Sequence, residues 1–100
     1  MIIPKAPTLK KYGLAEEEWI ALYKKFDGCC HLCLKPFTNR SYIDHEHIKN
    51  WKQLPPEQRK LSVRGLLDYQ CNFILLQKSN DNLEKLRNAV KYLEEYENSK

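Results

Sequence analysis

Val63-Arg64-Gly65-Leu66-Leu67-Asp68-Tyr69-Gln70-Cys71-Asn72 is the stretch on which the fold turns. Leu61–Arg64, with its β-branched Val63, reads as the returning strand of a ribbon. Asp68–Lys78 then places Cys71, Ile74, Leu75 and Lys78 at helical spacing, so strand passes into helix within a few residues. Asp68 and Cys71 lie three apart at the start of that helix and reach toward one point.

Working outward, the partner of that arm is Cys30-His31-Leu32-Cys33, a C-x-x-C turn ended by Lys35-Pro36. Such a turn presents two thiolates to one tetrahedral metal, and a second arm about 40 residues away suggests structural zinc stapling turn to helix. Cys30, Cys33 and Cys71 supply three ligands. For the fourth, Asp68 leads on ligand chemistry and spacing, with Cys29 and His31 as rivals, and an empty, decayed site as a further alternative. Four cysteines with three crowded into residues 29–33 suit metal ligation better than disulfide pairing.

Between the two arms lies Ser41-Tyr-Ile-Asp44-His45-Glu46-His47, a strand opening into a loop. A carboxylate beside an imidazole serves one reaction centre: Asp44 binds a hard cation while neutral His45 takes a proton from water. Asn72 follows ligand Cys71 directly, so zinc would fix it as a second oxygen ligand for Mg²⁺. A two-Cys two-His finger does not fit. Eleven residues separate Cys33 from His45 and one separates His45 from His47, where that module needs about 12 and then 3–5.

The flanks are helical. Ala15, Trp19, Leu22 and Phe26 make one face of a helix over Leu14–Phe26, with Glu16, Glu17 and Glu18 in its first turn and Asp27-Gly28 at its end. Residues 1–11 read as a basic arm, and Pro55-Pro56 as an irregular, mobile connection. The C-terminal segment 80–98 carries a helix from Asn82 to Tyr96, with Asp81 as N-cap and Glu84 completing a capping box. Its stripe of Leu83, Leu86, Val90 and Leu93 either packs on the core or forms a dimer seam.

Composition bounds the rest. One hundred residues, 42% hydrophobic and 30% charged with 3 Gly and 5 Pro, make one small α+β domain rather than a disordered chain. Scaling relations give about 6,000 Å² exposed when folded against about 17,000 Å² unfolded. Aliphatic and aromatic runs such as Phe73–Leu76 are too short for a bilayer, and Met1-Ile-Ile-Pro-Lys5 has no signal-peptide apolar core. The expectation is a soluble, intracellular protein without a membrane partner. Net charge is +4, with +3 in residues 1–12, +4 in residues 47–64 and −1 in residues 80–100. That asymmetry suits a polyanion.

Tyr12-Gly-Leu14, Gly28-x-Cys-x-x-Cys33, Asp-His-x-His at 44–47 and Val63-Arg-Gly-Leu-Leu-x-x-x-Cys-Asn72, in this order, resemble the recombination endonuclease VII family of phage-type nucleases. That family falls within the HNH (His-Me finger, ββα-metal) group, and the resemblance spans Tyr12 to Leu76. It implies a zinc-stapled ββα-metal core with flanking helices. It also implies hydrolysis of DNA phosphodiester bonds in duplex or branched, Holliday-junction-like substrates, leaving 5′-phosphate and 3′-hydroxyl ends. Asp44 and Asn72 would hold catalytic Mg²⁺ or Mn²⁺, His45 would activate water, and His47 would assist. Lys49, Lys52, Arg59, Lys60 and Arg64 would grip backbone phosphates. A phage or prophage-type origin, action inside a bacterial host, and a homodimer through helical segments are implied too. Two departures stand out: Asp68 occupies the place of a cysteine, and the basic link from His47 to Val63 is longer than usual. Trp51 in that link either adds a DNA contact or packs a surface loop. The alternative reading is a non-catalytic zinc-containing DNA-binding module.

Overall fold

A computed structural model describes residues 1–99. Its elements run α1 (Ala6–Lys11), α2 (Glu16–Lys25), β1 (Tyr42–His45), a 3₁₀ turn (Trp51–Gln53), α3 (Pro56–Leu61), β2 (Val63–Leu67), a π-type helical segment (Gln70–Leu76) and α4 (Leu83–Asn98). This is a mixed architecture of helices around one small two-stranded sheet.

The strands are antiparallel, pairing Tyr42 with Leu67, Ile43 with Leu66, Asp44 with Gly65 and His45 with Val63. Between the last two pairs the register shifts, so Arg64 is the extra residue of a bulge. A bulge leaves its residue outside the ladder and re-aims its side chain. Leu66 is fully buried, packed with Leu9, Leu14, Trp19 and Ile43 in the main core. Cys30, Leu67 and Cys71 form a second buried cluster beside it.

Several boundaries depart from the sequence reading. The basic segment 1–11 holds a helix: Pro7 sits in the first turn of α1, Lys10 and Lys11 complement its C-terminal dipole, and Leu9 enters the core. Gly13 follows with φ +69°, and a Cβ there would collide with the Pro56 carbonyl, so α1 sits hard against α3. Helix α2 begins at Glu16, because Ala15 is extended and its N–H donates to Glu18 Oε1 at 2.9 Å. Ala15 itself is exposed, and Leu14 takes its expected place in the core.

Pro55-Pro56 is no irregular connection. It starts α3, with Pro56 at a position whose missing N–H costs nothing, and Lys60 on α3 pairs with Glu18 on α2 at 2.7 Å. Residue Leu61 therefore ends a helix, and the returning strand starts at Val63 and runs to Leu67. The helix after it covers 69–78, as its spacing predicts, but most of it winds in wide π turns. Asn82, not Asp81, caps α4: its Oδ1 accepts from the Lys85 N–H at 2.8 Å. Asp81 has φ +54° and turns its carboxylate elsewhere.

Candidate metal centre and active site

The two arms meet. Ligand atoms of Cys30, Cys33, Asp68 and Cys71 all lie within 4.8 Å of one another. Tetrahedral zinc with bonds of about 2.0–2.3 Å needs ligands about 3.5–3.8 Å apart, so the cluster fits a structural zinc with little adjustment. Cys33 Sγ donates to Asp68 Oδ2 at 3.1 Å, and the Asp68 N–H points at Cys30 Sγ at 3.4 Å. Burial, with Asp68 and the other thiols crowded around it, pushes the Cys71 thiol far up. A divalent cation reverses that penalty, because it stabilises thiolate over thiol.

Asp68 has a second task. Its Oδ1 accepts from the Cys71 N–H at 2.8 Å, capping the helix that carries Cys71 and Asn72. That bond is the first cause of its lowered carboxyl pKa. The rivals for the fourth ligand position are engaged elsewhere. Cys29 Sγ faces the Asp27 carbonyl at 3.9 Å. His31 Nε2 donates to the Leu22 carbonyl at 3.0 Å, and its Nδ1 accepts from the Leu66 N–H at 3.2 Å. With the His31 N–H also donating to the Leu66 carbonyl at 3.0 Å, His31 clamps the cysteine turn onto the free edge of β2. Gly65 makes room for it, since a Cβ there would stand 2.6 Å from His31 Nδ1.

At the far end of β1, Asp44 is buried and Arg64 grips it with both arms. Nε reaches Oδ2 at 2.7 Å and Nη2 reaches Oδ1 at 2.9 Å. Arg64 Nη2 also reaches Asp81 Oδ2 at 3.3 Å, and His47 Nε2 lies 3.4 Å from the same oxygen. Asp81, expected only as a helix cap, thus joins Arg64 to His47. Nothing in the local spacing signals this, because two successive left-handed residues, Asn80 and Asp81, swing the carboxylate back.

His45 lies against Trp51, centroids 4.3 Å apart and stacked at 30°, with Tyr12 edge-on at 5.5 Å. Burial lowers its pKa, helped by the charges of His47, Lys11 and Arg64 and opposed by Asp44. That shift favours the neutral imidazole. Trp51 is 7% exposed and its Nε1 donates to Ser62 Oγ at 2.8 Å, so it packs the loop and forms the floor under His45. Asn72 is half-buried on the π-type segment and makes no hydrogen bond to Asp44 among the described residues.

The expected phosphate-gripping residues divide. Lys49 and Lys52 are exposed and hold no ion pair among the described residues. Arg59 donates to the Lys52 carbonyl at 3.3 Å, Lys60 is held by Glu18, and Arg64 is held by Asp44 and Asp81. No described helix is long and apolar enough to cross a membrane.

Comparison with known proteins identifies relatives of this chain. The chain is 32% identical over 87 residues to the Gene 59 protein of Mycobacterium phage D29, covering 85% of this chain and 46% of that protein. It is 29% identical over 87 residues to the Gene 59 protein of Mycobacterium phage L5, with the same coverage of each. The chain thus spans about half the length of the curated relatives it matches. No solved structure matches it. The family model for recombination endonuclease VII matches residues 5–95, and the chain belongs to that family.

Proposed function

We propose that this chain is a divalent-metal-dependent DNA endonuclease whose β1, β2 and 69–78 helix form a ββα-metal (His-Me finger) core. The observation that carries it is His45, stacked on a buried aromatic floor at the end of β1, biased by burial toward the neutral imidazole and adjoining the buried carboxylate of Asp44. An imidazole in that state accepts a proton from water attacking a phosphodiester. Trp51 and Tyr12 hold the ring in orientation, and the Trp51–Ser62 bond holds the floor. His47, tethered to Asp81, is placed to steady the scissile phosphate.

The donor set suits Mg²⁺ or Mn²⁺ at Asp44 and Asn72. Each Asp44 oxygen accepts one bond from Arg64, which leaves a second lone pair for a hard cation. Such an ion supplies Lewis-acid stabilisation of the charge that develops on the phosphate and the leaving 3′ oxygen. Zinc at Cys30, Cys33, Asp68 and Cys71 would be scaffold, fixing Asn72 through its neighbour. Lys49 and Lys52 provide phosphate contacts that set position without reading sequence. Products carry 5′-phosphate and 3′-hydroxyl ends, and the setting is a phage-infected or prophage-bearing bacterial cell.

One observation favours the second reading, a non-catalytic zinc-containing DNA-binding module: Arg64 already neutralises Asp44. The deciding experiment incubates wild type and His45→Ala with a four-way junction and a matched linear duplex, in Mg²⁺, Mn²⁺ and EDTA. Metal-dependent cleavage by wild type alone is expected. Binding of both DNAs by both proteins, with no cleavage in either metal, would replace the nuclease with the binding module.

A further inference from the structure

Arg64 grips Asp44 through two hydrogen bonds, and a guanidinium keeps its charge at every working pH. Taken alone that pair is neutral. A divalent cation approaching Asp44 would meet a negative charge already matched and a positive charge beside it. The fold adds a third charge. Asp81 Oδ2 accepts from Arg64 Nη2 at 3.3 Å, so Asp44 and Asp81 share one guanidinium and the trio carries one net negative charge. Their side chains are sheltered, with Asp44 8%, Asp81 22% and Arg64 39% exposed, so solvent and salt screen these charges only in part.

Nothing local accounts for the Asp81 carboxylate in that place. It sits in the turn between the 69–78 helix and α4, where Asn82 does the capping. Asn80 and Asp81 both take left-handed backbone, at φ +53° and +54°, which is uncommon outside glycine. Asp81 Oδ1 is buried without a hydrogen-bond partner among the described residues, and that carries a desolvation cost. Against these costs, the polar contacts of the carboxylate among the described residues are Arg64 and, at 3.4 Å, His47. Its position serves the site and not the turn.

We propose that Asp81 is a positioning residue whose charge offsets Arg64, so that Asp44 keeps its affinity for a divalent cation while Arg64 holds the Asp44 carboxylate in place. The inference rests on the reading of Asp44 as a cation ligand. It extends that reading to a residue outside the two strands and the helix that carry the site. With Asp81 present, the grip of Arg64 on Asp44 does not bar a catalytic metal.

The test is a titration of the full chain, purified with zinc, against Mn²⁺, with free Mn²⁺ read from its electron paramagnetic resonance signal. Asp44→Asn marks the binding that does not involve Asp44. Asp81→Asn should weaken the Asp44-dependent binding by about tenfold, the order seen when a group supporting a metal ligand is lost. Arg64→Gln combined with Asp81→Asn has the net charge of wild type and should recover most of that affinity. If Asp81→Asn loses its folded circular dichroism, Asp81→Gly takes its place, because glycine suits φ +54° and removes the same charge. Wild-type affinity in Asp81→Asn overturns the inference. So does a loss that Arg64→Gln fails to recover, since it would come from the turn and not from charge. Either result, with Mn²⁺ still bound through Asp44, leaves the nuclease reading standing. No Asp44-dependent binding in wild type removes the cation reading and the inference with it.

Discussion

At the scale of single residues, Asp68 has two separable tasks. Its Oδ1 caps a helix through the Cys71 N–H, while its Oδ2 faces the thiols of the cluster. Asp68→Asn keeps a cap acceptor but loses the anionic ligand. The expected outcome is unchanged stability without metal and zinc affinity lower by about tenfold or more, since even outer-sphere changes cost that order. Asp68→Ala should lose the same affinity and about 1 kcal/mol of metal-free stability as well. Urea denaturation in chelator, beside competition with a zinc indicator, separates the two. The ligand set was legible in the sequence because 30–33 and 68–71 are local spacings. The roles of Arg64 and Asp81 were not, since a bulge on β2 and two left-handed residues before α4 set them. Neither leaves a periodic trace.

Among the elements, α3 shows how a breaker misleads. Two prolines read as an interruption, yet Pro at the first helical position is preorganised for the helix and loses no bond. Once formed, α3 fixes the position of Lys60 against Glu18 on α2. The hydrogen bond from Lys60, followed by that from the Ala15 N–H, holds the Glu18 carboxyl below its ordinary value. A carboxyl lowered on folding stabilises the native state above its unfolded pKa, and that contribution disappears as pH falls through the folded one. Glu18→Gln should therefore lower the melting temperature slightly at neutral pH and low salt, and have no effect below the folded pKa. Melting curves between acid and neutral pH, with and without added salt, check this. Exposed pairs are screened, so added salt should erase the difference. The helices over 14–26, 68–78 and 82–96 were visible because their apolar spacing is regular; their ends moved, and the middle one winds mostly in π turns.

The whole molecule is more extended than its length requires. Its radius of gyration is 15.6 Å and its longest extent 50 Å, against about 13 Å expected for the radius of a compact chain of this length. Exposed surface is 7729 Å², well above the roughly 6,000 Å² of the scaling relation. Helix α4 accounts for much of the difference. Leu83, Val90 and Leu93 are 59%, 56% and 62% exposed and only Leu86 is half-buried, so the stripe does not pack on the core. The dimer seam of the sequence reading stays a proposal, and this exposed stripe is what supports it. Leu93→Glu with Val90→Glu should convert a dimer to a monomer in sedimentation equilibrium and leave zinc content unchanged. A wild-type protein that sediments as a monomer at all accessible concentrations would remove the dimer.

The carboxylate among the three clustered thiols also alters what an oxidant can do to them. Four thiols stripped of metal can close as two disulfides and leave nothing reactive behind. Here the cluster has three, so one bridge leaves an unpaired sulfur, and Cys29, its thiol outside the cluster, adds a second. Thiol–disulfide exchange then runs between molecules as well as within them. Chelator-treated protein left in air should accumulate covalent oligomers on a non-reducing gel, and dithiothreitol with zinc should return them to single chains.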